Sequence, residues 1–470
     1  MLAHTRDSTP RAQLTSIPGI RYAKPTNGSL RFRAPQRAAI LPSNTTFNAS
    51  RFSPGCPNLG PSAGPGLPYG DDCLSLNIWS PATNRLNSTE GASVLVWIYG
   101  GGFFAGSSSV PIYNANNFVR DQEDLIVVTI NYRLLIYGFP AGSGQSSTQL
   151  NAGLQDQRMA IEWVYNNIRN FGGDPSKITL FGESAGASSI GAYAYAYWKD
   201  PIARGFILES GSEYLNTAIT VPINNNASIT GWNTVAQKIG CNSTDSSKVF
   251  ACMQAANLSV LADAVNNYPA ARSVFLPTQD GVLLQNASTY TALAQAGQFA
   301  QVPVLIGTNN NEGTILTTIY AGGLSNLADI ITQGFTCSAA NVAMQRRNAS
   351  VPIWQYRYFG TFPPSTPINS TLGAYHGSEM AVVFGTYTNG SRAENMTSKV
   401  MQDAWTAFAK DPTTGLTEYG WPQYESNGTT LIQLASNYFN QSQAVLDAGA
   451  LPVVTFNNSQ AYNSVCSSAN

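Results

Sequence analysis

The chain has 470 residues, a net charge of −1 and only 11% charged side chains. That balance gives no electrostatic case for a nucleic acid or a membrane surface as partner, and no apolar run reaches the roughly 18 residues a spanning helix needs. The length allows a sizeable core, and the polar surface must come mainly from Asn, Ser, Thr and Gln.

The start, Met1-Leu2-Ala3-His4-Thr5-Arg6, has no apolar leader stretch. Residues 17–36 read as extended and Pro-punctuated, without helical period. Cys56 and Cys73 then flank a Pro/Gly-rich loop. Residues 74–79 alternate as a half-buried strand, and residues 94–99 form a continuous apolar run, as a strand buried on both faces would. That run ends in Gly100-Gly101-Gly102-Phe103-Phe104. A second buried strand is expected at 125–131, after a crossover over 113–124. Residues 155–171 predict a helix, with Ala160, Trp163, Val164, Ile168 and Phe171 on one face. Gly172-Gly173-Asp174-Pro175 stops it.

A short strand follows at 177–181, then Gly182-Glu183-Ser184-Ala185-Gly186, then small residues over 187–194 that suit a helix packed close to a sheet. Further strands are expected at 205–209 and 302–307. The region 216–300 reads as mainly helical. Residues 354–358 and 430–434 read as late, edge-like strands. Over 394–410, Met396, Val400, Met401, Trp405 and Phe408 mark an amphipathic helix. Strands alternating with helices imply a largely parallel, doubly wound α/β sheet. No repeat or linker divides the chain, so one domain over 1–470 is expected.

The bare G-x-S-x-G pattern is weak by itself. A strand before it and a helix after it put Ser184 at the apex of a sharp turn, the context in which the pattern carries chemistry. A serine nucleophile needs a base, an acid to orient the base, and donors for an oxyanion. The sequence holds two histidines. His4 lies in the frayed start, which leaves His376, in the Gly-flanked loop Gly373-Ala374-Tyr375-His376-Gly377. A lone histidine is more often structural, but here no other base is on offer. The acid should follow a strand between Ser and His. Glu312, just after the strand at 302–307, fits; Asp280 is the alternative and reads better as a turn former. The amides of Gly101, Gly102 and Ala185 are the candidate oxyanion donors. Phe103 and Phe104 are candidate pocket walls, or simply core aromatics. Without Gly-Lys-Ser/Thr the glycine run is no nucleotide cradle. No Cys/His cluster suggests a metal, and no cofactor is called for.

Asn-x-Ser/Thr sequons run from Asn27 to Asn457, including Asn44, Asn48, Asn87 and Asn369. With six cysteines they point to a secreted glycoprotein, although the chain as given shows no signal peptide. Cys56 with Cys73, and Cys241 with Cys252, are placed for local bridges. Cys337 and Cys466 could pair only over a long distance.

Together these stretches resemble the carboxylesterase family that includes type-B lipases and cholinesterases, in a secreted, fungal-type form. The matching segments cover nearly the whole chain. They include Asp72-Cys73-Leu74-Ser75-Leu76-Asn77, the glycine loop, Asn131-Tyr132-Arg133, Asn151-Ala152-Gly153-Leu154-Gln155-Asp156-Gln157, Gly182 to Gly186, Glu312-Gly313 and His376-Gly377. The resemblance implies an α/β-hydrolase fold. It implies Ser184 as nucleophile, Glu312 as acid, His376 as base, and oxyanion amides at Gly101, Gly102 and Ala185. It also implies the bridges Cys56–Cys73 and Cys241–Cys252, and Glu183 as a second buried carboxylate beside the triad. Two features depart from the family: little precedes Ile17 where a β-hairpin is usual, and the Cys56–Cys73 loop is short and without Trp, so neither a large lid nor a quaternary-ammonium site is expected there.

The expected function is hydrolysis of a carboxylic ester, from a small molecule or a lipid, through an acyl-enzyme. Its rate should fall below about pH 6.5 as His376 protonates. The alternatives are a true lipase at lipid interfaces and a non-catalytic, cholinesterase-like adhesion protein. The natural ester and the oligomeric state are not legible.

Overall fold

The computed structural model describes residues 14–39, 49–59, 68–82, 90–140, 145, 149–215, 220–320, 325–363, 372–463 and 466. His4, the sequons at Asn44, Asn48, Asn87 and Asn369, and residues 60–67 of the Cys56–Cys73 loop lie outside them.

The strands in chain order are β1 (Leu14–Arg21), β2 (Ser75–Pro81), β3 (Ala92–Ile98), β4 (Leu125–Ile130), β5 (Gly173–Glu183), β6 (Gly205–Glu209), β7 (Val221–Pro222), β8 (Thr278–Gln279), β9 (Val304–Asn309), β10 (Ile353–Tyr358), β11 (Leu431–Leu434) and β12 (Val454–Asn457). Among the described residues ten of them form one sheet, in the order β1-β2-β4-β3-β5-β6-β9-β10-β11-β12, while β7 and β8 pair separately. From β4 to β11 neighbours run parallel. At the two ends β1, β2 and β12 run antiparallel to their neighbours. Central strands such as β3 and β4 are buried along their whole length, which is why they read as unbroken apolar runs.

Two strand readings need correction. β2 is buried throughout, not on one face. Its polar positions alternate because they bond inward: Asn77 Nδ2 donates to Thr129 Oγ1 at 2.9 Å and to Ser108 Oγ at 3.0 Å. The strands over 354–358 and 430–434 are not edges either. Each has a partner on both sides, and the edge is β12, whose four half-exposed residues are too short a run to carry a period.

Helix α1 (Ala152–Asn167) continues as a 3-10 turn, Ile168–Phe171, and ends at Gly172 with φ 86°. Its Asp156 makes a buried two-pronged bond with Arg133, three residues past β4: Nε to Oδ2 and Nη2 to Oδ1, both 2.7 Å. Helix α2 (Ala185–Ala196) packs on the sheet through small residues. A methyl on Gly191 would overlap the Glu213 backbone. Helices α3 (Asn226–Lys238), α4 (Ser246–Ala255) and α5 (Leu258–Asn266) enclose a second, smaller core with Phe32, Phe104 and Trp232, and the Cys241–Cys252 bridge joins the first two of them. Helices α6 (Gly313–Tyr320) and α7 (Ser325–Asn348) follow β9. After β10 come α8 (Met380–Phe384) and α9 (Arg392–Lys410). Along α9, Met401, Trp405 and Phe408 are fully buried.

All six cysteines are paired, as Cys56–Cys73, Cys241–Cys252 and Cys337–Cys466. The third bridge spans 129 residues and ties α7 to the C-terminal segment. No single helix among the described residues is long and apolar enough to cross a membrane.

Candidate active site

The loops after β3, β5, β6 and β9 meet at the carboxyl ends of the central strands, where open α/β sheets hold their ligands. Ser184 sits between β5 and α2 with φ 54° and ψ −121°. A non-glycine residue held there costs about 1–3 kcal/mol and persists only where its surroundings impose it. The surroundings here are backbone. Ser184 N–H donates to the Glu209 carbonyl at 2.9 Å. A methyl on Gly186 would overlap the Ile98 carbonyl, and one on Gly182 would sit 2.7 Å from the same oxygen. Only glycine lets β3 come so close to the turn.

The glycine loop presses on this turn from the β3 side. A methyl on Gly100 would overlap the Glu183 carboxylate and lie 2.8 Å from Ser184 Cβ. Gly101 and Gly102 have φ 99° and 60°. Among the described residues neither of their amides donates to a backbone acceptor. The Ala185 amide opens α2, where the first N–H groups have no intrahelical partner. Phe103 is buried edge-on against Phe139, and its carbonyl accepts from Leu135 N–H at 2.9 Å. Phe104 lies in the smaller core, and its carbonyl accepts from Leu59 N–H at 2.9 Å. Both aromatics therefore hold the glycine loop by packing and backbone bonds.

Across the site, the imidazole of His376 meets Glu312, three residues past the end of β9. The His376 Nδ1 to Glu312 Oε2 distance is 2.7 Å, and Glu312 is fully buried. The other Glu312 oxygen accepts from Ser210 Oγ at 2.6 Å and from Asn309 N–H at 2.7 Å. His376 Nε2 lies 3.1 Å from Glu183 Oε1. Among the described residues no hydrogen bond joins Ser184 Oγ to the imidazole. Asp280 serves as a turn former: its Oδ1 accepts from the amides of Val282, Leu283 and Leu284.

Several residues around the pair were not singled out from the sequence. Ser210, with φ 50°, follows β6 and supports Glu312. Its signal was available: a Ser-Gly-Ser run just past a buried strand. Glu379 is fully buried three positions beyond His376 and accepts from Asn309 Nδ2, which also donates to the Tyr375 carbonyl at 2.8 Å. Glu209 is buried and accepts from Trp405 Nε1. The Phe335 ring lies 4.9 Å from the His376 ring.

These carboxyls share one region of low polarity. Burial pushes Glu183 up to about 7, helped by the charge of Glu312 against the pull of His376. Burial pushes Glu379 up to about 8, with Glu183 and Glu312 adding to the rise, and it raises Glu209 well above the carboxylate range. For His376, burial works downward, but the charges of Glu183 and Glu312 and the Glu312 hydrogen bond outweigh it and bring the imidazole up to about 9. The two shifts are linked. When burial keeps Glu183 protonated its pull on the imidazole is lost, and the rise then rests on Glu312. The upward direction moves the expected limb above pH 6.5: the sequence analysis named Glu312 and Glu183, but not that both lie within hydrogen-bond range of the ring in a buried site.

The model of the Carboxylesterase family matches residues 4–329 and 323–446. The chain belongs to the carboxylesterase family. It is 32% identical to Secreted lipase 5 of Gibberella zeae, over 93% of this chain and 89% of that one. It is 32% identical to the chlorogenic acid esterase of Aspergillus niger, over 89% and 85%. With the cholinesterase of Mus musculus it shares 29% identity, over 89% and 77%. This carboxylesterase family member is a hydrolase of carboxylic esters on an α/β-hydrolase fold, and its three disulfides fit an oxidising compartment.

Proposed function

We propose that the chain hydrolyses its ester by a two-step serine mechanism, with Ser184 as nucleophile, His376 as general base and then acid, and Glu312 as the group that orients the imidazole. The observation carrying this reading is the buried bond from His376 Nδ1 to Glu312, with Nε2 3.1 Å from the carboxylate of the residue next to Ser184. A neutral imidazole that donates Nδ1–H to Glu312 has its lone pair at Nε2. That lone pair takes the Ser184 proton as Oγ attacks the acyl carbon. The amides of Gly101, Gly102 and Ala185 stabilise the oxyanion, each contributing about 3 kcal/mol. The alcohol leaves with the proton from Nε2, and water repeats the sequence on the acyl-enzyme.

The substrate on this reading is a small-molecule ester, and the protein is a secreted glycoprotein. The secreted relative and the exposed sequons at Asn27, Asn242, Asn257 and Asn286 support that placement.

The test is labelling by a fluorophosphonate with the adduct located by mass spectrometry, alongside hydrolysis of p-nitrophenyl acetate. The adduct is expected on Ser184. Ser184→Ala should lose about 10⁴-fold or more in kcat with an unchanged melting temperature. An adduct elsewhere, or substantial turnover by the folded variant, would sink the assignment.

A further inference from the structure

Helix α7 enters the site through one side chain. Phe335 is 6% exposed, and its ring lies beside the His376 ring at 4.9 Å between centroids, tilted by 48°. It closes one flank of the imidazole, while Glu312 holds Nδ1 and Glu183 faces Nε2.

The helix is fixed on either side of Phe335. One turn before it, Thr332 Oγ1 accepts from Gly313 N–H at 3.0 Å, the amide next to Glu312. Gly313 lies so close to α7 that a methyl there would overlap the Ala328 carbonyl. One residue after it, Thr336 Oγ1 accepts from Arg357 Nη1 at 3.0 Å, which joins α7 to β10. Cys337 is bridged to Cys466, and the Ser338 hydroxyl bonds the Ser212 hydroxyl two residues past Ser210. The same stretch of α7 thus touches the segments that carry the acid and its supporting hydroxyl. Ala339 and Val342 continue this face into the core.

We propose that Phe335 is a positioning residue for His376, a hydrocarbon stop that keeps the imidazole in the plane where Nδ1 meets Glu312 and Nε2 faces the nucleophile turn. The assignment rests on the reading of His376 as base. An imidazole held at only one nitrogen can still turn about its Cβ–Cγ bond and swing Nδ1 off Glu312. Its second nitrogen is opposite a carboxyl and not a fixed donor, so Glu183 alone does not set the ring. A packed ring on its flank removes that freedom at no cost in buried polar groups.

The experiment compares Phe335→Ala, Phe335→Leu and the unaltered protein with p-nitrophenyl acetate, fluorophosphonate and proton NMR. Phe335→Ala should lower kcat about 10- to 100-fold with KM within about threefold, and should slow fluorophosphonate labelling by a similar factor. The low-field resonance of the Nδ1–H bonded to Glu312 should broaden or move upfield. Phe335→Leu, which restores bulk without an aromatic ring, should recover most of the rate and the resonance. If Phe335→Ala does not accumulate as folded protein, Phe335→Leu and Phe335→Val give the graded series, and a rate independent of side-chain volume overturns the proposal. So does an effect confined to KM, which would make Phe335 a substrate wall, and so does an unmoved low-field resonance beside a lowered kcat. An unaltered protein that fails to label at Ser184 breaks the triad reading itself, whatever the variants do.

Discussion

The two halves of the site are built differently. The Ser184 half is made of backbone. Gly100, Gly182 and Gly186 let β3 and the nucleophile turn approach each other, and positive φ at Ser184, Gly101 and Gly102 sets the direction of the hydroxyl and the amides. The His376 half is made of side chains that meet across long stretches of sequence. Glu312 lies 64 positions from His376, Ser210 lies 102 from Glu312, and Glu379 lies 70 from Asn309. The first half is fixed by steric exclusion, which is insensitive to pH. The second holds several ionisable groups in a buried cluster, where every proton matters. The contrast predicts that perturbing the first half changes rate at all pH values, while perturbing the second changes the pH profile or the pH dependence of stability.

The largest effect should come from the backbone half. A methyl on Gly101 would overlap the Ala105 carbonyl at a φ of 99°, so Gly101→Ala must reshape the loop. Loss of one oxyanion donor should lower kcat about 10²- to 10³-fold, equally at pH 6 and pH 9. Steady-state rates at both values check this. A loss seen at only one pH would blur the division between the halves.

A smaller effect should come from Glu183→Gln. The charge of Glu183 is a cause that raises His376, so removing it should lower the imidazole pKa from its value of about 9. The base works when neutral, so activity is lost as pH falls through that value. The acid limb of kcat/KM should therefore move to lower pH in the variant, which should keep a larger fraction of its maximum than the parent at about pH 8, above the value of about 7 where Glu183 ionises and below the value of about 9 where the imidazole loses its proton. A limb that stays in place, or moves up, would remove Glu183 from the account of the imidazole.

The smallest effect should appear in stability. Glu379 is raised to about 8, above the usual carboxylate range. The folded state therefore holds a proton that the unfolded chain has released, so ionising Glu379 destabilises the fold as pH rises from about 4.5 through about 8. Glu379→Gln keeps an acceptor for Asn309 and removes that titration. Its melting temperature should match the parent at pH 5 and exceed it at pH 9 by about 1 °C for each kcal/mol regained. Thermal unfolding at the two pH values is the check, and an advantage that is largest at pH 5 would reverse the sign.

The sequence by itself determined the elements whose signal is local. The apolar runs of β3, β4 and β9 declare burial on both faces, and glycines on both sides of Ser184 declare a turn that no other residue tolerates. A glycine loop after β3 and one histidine in a Gly-flanked loop narrowed the chemistry further, and the family resemblance joined them. Tertiary structure alone decided what faces what. Asn77 looked like a solvent-facing position of β2 until its amide was found bonded to Thr129 and Ser108. Cys337 and Cys466 had no local reason to pair, and only the fold brings α7 to the end of the chain. Ser210 follows a buried strand and Phe335 shares a helical face with Ala339 and Val342, but nothing in those local patterns, or around Glu379, says which side chain each one meets. Their roles arise from low polarity and contact at the ends of different strands, and short-range patterns do not encode either.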